Sequence, residues 1–164
     1  MLQITKAALE SVFSHGEETF PEECCGCLAG PADGDEVTEA LRCTNIQNRL
    51  HEKDPEHYPR TAKDAFNIDP LEQMKIEEAA DEKGLKLFGY YHSHPDCESY
   101  FSAEDTRQAT YPTTGDDDGP REPIWPDAHQ LIASVKAGKA DYAKAFTWDG
   151  VAEEFVEEEI EVSS

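Results

Sequence analysis

Basic side chains are what this chain has least of. Fourteen Lys and Arg stand against 36 Asp and Glu in 164 residues, a formal charge of −22. Nucleic-acid binding needs clustered cations to replace the counterions of phosphates, and the composition disfavours it. Long apolar runs are missing as well, with no stretch near the roughly 18 residues of a membrane span. Met1-Leu2-Gln3-Ile4-Thr5-Lys6 has neither the basic flank nor the apolar core of a secretory leader. These absences predict a soluble, cytoplasmic protein with no nucleic-acid or membrane partner. No Gly-x-Gly-x-x-Gly or P-loop occurs, so nucleotide binding has no support. Asp116-Asp117-Asp118 lack the alternating ligand order of a calcium loop.

Cysteines are few and odd in number. There are five, three of them in Cys24-Cys25-Gly26-Cys27, and they cannot all pair internally. Reduced thiols are expected. Cys24-x-x-Cys27 has no second Cys-x-x-Cys to complete a zinc site and falls in a predicted strand, so these thiols read as small buried apolar side chains. Cys97, between His94 and Ser102, borders whatever site those residues form, though packing or an exposed loop is the plainer role. The acids are scattered along the chain rather than gathered in a patch. That favours the general acidity of a halophilic protein over a face for one basic partner.

What is present is a dense polar motif at the end of an apolar run. Leu85-Lys86-Leu87-Phe88-Gly89-Tyr90-Tyr91 leads into His92-Ser93-His94-Pro95. In a strand, alternate side chains share a face, so His92 and His94 point the same way, Ser93 points the other way, and Pro95 ends the strand. Downstream, Ser102-Ala103-Glu104-Asp105 has the form of a helix start, with Ser102 as N-cap and Asp105 at the third helical position. Such a cap alone implies no metal. Beside two imidazoles, an acid folded back to the strand end completes three ligands of the kind Zn²⁺ prefers and leaves a fourth position open, as in catalytic sites. A hydrolase of that design needs a carboxylate to move protons. Glu22 and Glu23 are the upstream candidates; entering a strand they face opposite ways, and spacing does not choose between them.

Helical spacing of Ala7, Ala8, Leu9, Val12 and Phe13 predicts an amphipathic helix over 5–19. A strand at 23–30, a turn at 31–35 and a strand at 36–45 form a hairpin. Residues 48–65 read as a long polar loop carrying His51 and His57. Asp69-Pro70-Leu71-Glu72 opens a helix that ends at Gly84. After the helix at 102 comes an irregular acidic segment, 111–127, read as a mobile surface loop. Strands follow at 129–136 and 140–148, then an acidic, partly alternating tail strand over 151–162. The expectation is one domain, 1–164, with loop insertions at about 48–65 and 111–127. Its fold is mixed α/β: a curved, mostly antiparallel sheet flanked by helices.

With these elements in place the sequence resembles the JAMM (MPN+) zinc metallopeptidases, of the small prokaryotic type. Their signature is an upstream Glu, then His-x-His, seven residues, Ser, two residues and Asp. Here seven residues separate His94 from Ser102, and two separate Ser102 from Asp105. Pro21, Cys25, Gly26, Leu28 and Gly30 match the family's Pro-x-Glu-x-Cys-Gly-x-Leu-x-Gly, and that alignment selects Glu23. Asn45 and Phe66-Asn67-Ile68-Asp69-Pro70 are also typical, and the likeness spans about 1–148. The resemblance implies the cytidine-deaminase-like JAMM/MPN architecture. It implies Zn²⁺ on His92, His94 and Asp105, Glu23 as general acid/base, and Ser102 donating to the oxyanion. The implied activity is hydrolysis of amide or isopeptide bonds at the tails of ubiquitin-like proteins, including release of cysteine from a sulfur carrier protein. Removal of a ubiquitin-like modifier from protein lysines is the alternative. A non-catalytic MPN scaffold would lack part of the motif, and all five residues are here.

Overall fold

The computed structural model describes residues 1–164. In chain order the elements are β1 (Leu2–Thr5), α1 (Lys6–Thr19), β2 (Cys25–Pro31), β3 (Glu36–Val37), β4 (Glu39–Cys43), α2 (Gln47–Lys53), α3 (Pro70–Glu82) and β5 (Leu85–Pro95). After these come α4 (Ala103–Ala109), β6 (Thr110–Pro112), β7 (Arg121–Pro123), β8 (His129–Lys136), β9 (Lys139–Asp149), β10 (Glu154–Glu158) and β11 (Ile160–Ser163). Six strands form the main sheet in the order β10-β9-β8-β5-β2-β4. All its pairings are antiparallel except β5 with β8. A smaller sheet, β11-β1-β3, is parallel throughout.

Each face of the main sheet has its own apolar layer. On one, α1 lays Ala8 and Val12 against Leu28, Tyr91, Leu131 and Ala133, with Leu2 and Ile4 of β1 closing the layer. The helix starts where expected because the Thr5 hydroxyl accepts the Ala8 N–H (3.1 Å). On the other face Cys25, Cys27, Cys43 and Tyr90 meet Phe66, Ile68 and Ile76, the last from α3. That helix begins at the Asp69 cap with Pro70 in its first turn, and stops before Gly84, whose φ of +73° suits glycine. The period of two along β5 puts His92 and His94 on the α3 side and Ser93 on the α1 side, where its Oγ accepts the Cys24 N–H (2.8 Å).

The mixed, mostly antiparallel architecture is as expected, but several bounds differ. The predicted strand at 36–45 divides at Thr38: β3 pairs with β1 and β4 with β2, so the two halves belong to different sheets. The segment read as loop at 48–65 opens as helix α2, which begins at Gln47. The segment read as a loop at 111–127 holds β7 and most of β6, which pair as a two-stranded ribbon. The tail splits at Glu159 into β10, beside β9, and β11, beside β1. Each break falls where a strand leaves one sheet for another. No helix is long and apolar enough to cross a membrane.

Candidate metal centre

β5 delivers two imidazoles to one point. His92 is 1% exposed and His94 5%, and their Nε2 atoms lie 3.3 Å apart. Asp105, 6% exposed, comes from the first turn of α4. Its Oδ1 is 3.1 Å from His92 Nε2 and its Oδ2 3.2 Å from His94 Nε2. The capping reading of Ser-x-x-Asp also holds. Ser102 Oγ accepts the Asp105 N–H (3.0 Å) and Asp105 Oδ2 accepts the Ser102 N–H (3.0 Å), a reciprocal box. Burial alone would raise the Asp105 carboxyl; the His92 and His94 imidazoles reverse this and hold it far below the usual carboxylate range.

The seven-residue spacer between His94 and Ser102 is tied down. Ser99 Oγ donates to the Ile132 carbonyl (2.8 Å), and the Cys97 carbonyl accepts from Ser134 Oγ (2.6 Å). The carbonyl of Glu98 lies 3.0 Å from His94 Nδ1. If Nδ1 carries the proton, Nε2 presents its lone pair to the centre. His92 is held differently: its buried Nδ1 has no hydrogen-bond partner, and Phe66 stacks on the ring at 4.5 Å between centroids. Tyr100 meets the His94 ring edge-on. Sequence reasoning gave neither aromatic this role; Phe66 stood out only as part of a typical segment.

Of the adjacent acids, Glu23 turns inward. It is 4% exposed and its Oε1 is buried without a partner, whereas Glu22 is half-buried and accepts from Asn48 Nδ2 (2.6 Å). Burial, with the charge of Asp105 next, raises the Glu23 carboxyl well above its ordinary range, and Arg60 partly opposes the shift. The backbone of Glu23 is gripped from both sides: its N–H donates to Ala62 O (2.7 Å) and its carbonyl accepts from Asn45 Nδ2 (2.9 Å). Asn45 also donates to Ala65 O and accepts the N–H groups of Gln47 and Asn67. It thereby ties the end of β4 to the segment that carries Phe66.

The donor set suits a small divalent cation. Tetrahedral zinc with ligands at about 2.0–2.1 Å sets ligand atoms about 3.3 Å apart, and the three contacts here are 3.1–3.3 Å. No other group of three or more His, Cys, Asp or Glu side chains could hold a metal ion in this way. His92 and Asp105 line one wall of a cavity of about 430 Å³, with Phe66, Met74, Phe101 and Trp125 among its apolar lining. A second cavity, about 610 Å³, shares Glu77, Tyr90 and Trp125 with it but touches none of the three ligand candidates. Cys24, Cys25, Cys27 and Cys43 are all buried, and burial pushes the Cys24 thiol up to about 11. These thiols are fillers of the interior, as expected. Cys97 is half-buried on the spacer loop.

A mixed sheet carries His-x-His on a central strand, and a helix-capping Asp closes the candidate metal centre. The family model of prokaryotic homologs of the JAB domain matches residues 5–149, and the chain belongs to that family. A desampylase of Haloferax volcanii is 34% identical over 115 residues, covering 68% of this chain and 74% of the relative. A CysO-cysteine peptidase of Mycobacterium bovis is 27% identical over 136 residues, covering 83% of this chain and 75% of the relative. Among solved structures, protein DSY2949 of Desulfitobacterium hafniense superposes with a TM-score of 0.72 at 26% identity, covering 99% of this chain and 93% of that one.

Proposed function

We propose that this protein is a zinc metallopeptidase that hydrolyses an amide bond at the C-terminal tail of a ubiquitin-like sulfur carrier protein, releasing cysteine from a carrier–cysteine adduct. The observation that carries this reading is the convergence of His92, His94 and Asp105 at 3.1–3.3 Å beside a buried, unpartnered Glu23 carboxyl. His92, His94 and Asp105 would hold the ion. Zinc, when bound, supplies a Lewis acid and brings the pKa of a coordinated water to about 7.

The remaining work falls to side chains. Glu23 Oε1 has no competing hydrogen bond, so it is free to take a proton from water and return it to the departing nitrogen. Its burial favours the protonated form, and a cation nearby offsets that, so the two forms come closer in energy. Ser102 Oγ already accepts one N–H, which leaves its O–H to donate to the carbonyl oxygen as the carbon becomes tetrahedral and the oxygen gains charge. The apolar cavity beside His92 fits an extended tail and limits water at the reacting bond.

A second reading, a deconjugase acting on lysine isopeptides, is favoured by the 34% identity to the Haloferax desampylase. Intact-mass assays at high salt, with and without a zinc chelator, separate the two. The carrier is supplied once as its C-terminal cysteine adduct and once joined to a protein lysine. Chelator-sensitive loss of one cysteine supports the first reading, and release of intact carrier supports the second. A zinc-loaded protein that cuts neither overturns both. Glu23→Gln is expected to retain zinc and lose turnover by about 100-fold or more, while Glu22→Gln stays within about twofold; the reverse pattern would reassign the base.

A further inference from the structure

Cations are scarce here, so a guanidinium 3.8 Å from Glu104, the residue before Asp105, stands out. Arg60 lies in the segment that runs alongside Glu23: two residues on, the Ala62 carbonyl accepts the Glu23 N–H (2.7 Å). Gln47 Nε2 fixes the Arg60 carbonyl (2.9 Å), and Asn48 Oδ1 fixes the Ala62 N–H (2.8 Å), so this stretch of backbone is braced. The side chain lines a polar cavity of about 250 Å³ with Gln47, His57, Asn67, Glu104 and Arg107. Glu104 directly precedes Asp105 in the first turn of α4.

Arg60 is only lightly committed. Glu104 gives both oxygens to Arg107, at 3.0 and 2.7 Å. What it offers Arg60 is a 3.8 Å contact with Nε, beyond hydrogen-bond range. The one hydrogen bond its side chain makes is a long one, Nη1 to Asp64 at 3.3 Å, and that side chain is 47% exposed. A guanidinium has five donors, so most remain available. Its charge also reaches the catalytic side, where it counters the raised pKa of Glu23.

The two candidate substrates differ in one charge next to the bond that breaks. An amino acid released from a carrier tail has its own carboxylate one carbon from the departing nitrogen. A lysine side-chain amine has four methylenes there. That carboxylate must enter a site already crowded by Glu23, Asp64, Glu104 and Asp105, the groups whose charges act on or around the base. We propose that Arg60 anchors the α-carboxylate of the leaving amino acid and makes the enzyme prefer a free C-terminal residue as leaving group. This rests on the hydrolase reading above and narrows it to one substrate class.

The test compares a ubiquitin-like carrier ending in cysteine with the same carrier ending in cysteinamide, using zinc-loaded protein. Wild type is expected to favour the carboxylate by about tenfold or more in kcat/KM, chiefly through KM, the scale of a charge-assisted hydrogen bond. Arg60→Gln should bring that ratio to about twofold or less with zinc content unchanged, and Arg60→Lys should restore part of it. Chelator-sensitive cleavage with no preference in wild type, or a preference that survives Arg60→Gln, overturns the anchor and leaves the hydrolase reading standing. Failure to cut either carrier overturns the anchor together with the cysteine-releasing reading, and leaves the lysine deconjugase as the reading that stands.

Discussion

His15 sits on α1, far from the proposed chemistry, yet it sets how the fold responds to acid. It is 8% exposed, and its Nδ1 is 2.8 Å from the Tyr91 hydroxyl. Burial, helped by Arg42 and opposed by Glu18, lowers its pKa to about 4 from the usual 6.5. The unfolded chain therefore binds a proton in a window where the folded chain does not. Stability from this group is complete above pH 6.5 and is lost as pH falls toward 4, by up to about 3 kcal/mol. Urea unfolding of wild type and His15→Gln across pH 4–7 should show this as a pH-dependent difference between the two. A difference independent of pH would mean that His15 binds its proton equally well in the folded and unfolded chains. The residues around the proposed centre divide in the same way between those readable by type and those defined by neighbours. His92, His94 and Asp105 stand out because few jobs need two imidazoles and a carboxylate at such spacing. Phe66, Asn45 and Arg60 act through a ring face, four backbone partners and uncommitted donors, and none of these is a property of sequence.

At the scale of elements, β5 is the axis of the molecule, paired with β2 from Leu85 to His92 and with β8 from Gly89 to Pro95. A Cβ on Gly89 would lie 1.9 Å from the His129 carbonyl oxygen, and that oxygen belongs to the paired strand. Gly89→Ala must separate β5 from β8 at the point where the two begin to run together. A loss of about 3 kcal/mol or more is expected from overpacking against backbone, read as a lower urea midpoint. An unchanged midpoint would show that β8 can start one residue later without cost. Elements with a strong local signal were legible: α1 from its apolar spacing, α3 from Asp69-Pro70, β5 and α4 from the motif. Those whose existence depends on distant partners were not. β1 is four residues whose pairing comes from Glu36–Val37 and Ile160–Ser163. The strand breaks at Thr38 and Glu159 mark passages between sheets, which a hydrophobic pattern does not register. α2 was hidden by its polar sequence, with Gln47 its one buried residue.

For the whole molecule, charge governs behaviour outside the core. At −22, the folded state concentrates repulsion that an expanded chain relieves. Added monovalent salt should therefore raise the melting temperature, by about 2–4 °C for each kcal/mol of repulsion screened. Sucrose at matched osmolality should not reproduce the full gain. A melting temperature flat in salt would assign the acidity to a docking partner instead of a saline milieu. The small parallel sheet has a consequence for how the chain is made. Leu2 and Ile4 are core residues, yet β1 meets its main partner only at Ile160–Ser163 and until then has two residues of β3 beside it. During synthesis β1 waits for residues 6–159 to follow before the strand that flanks it along its whole length is made. Chaperone contact during synthesis should therefore concentrate on β1, and loss of Ile160–Ser163 would undo the molecule at a strand far away in its sequence.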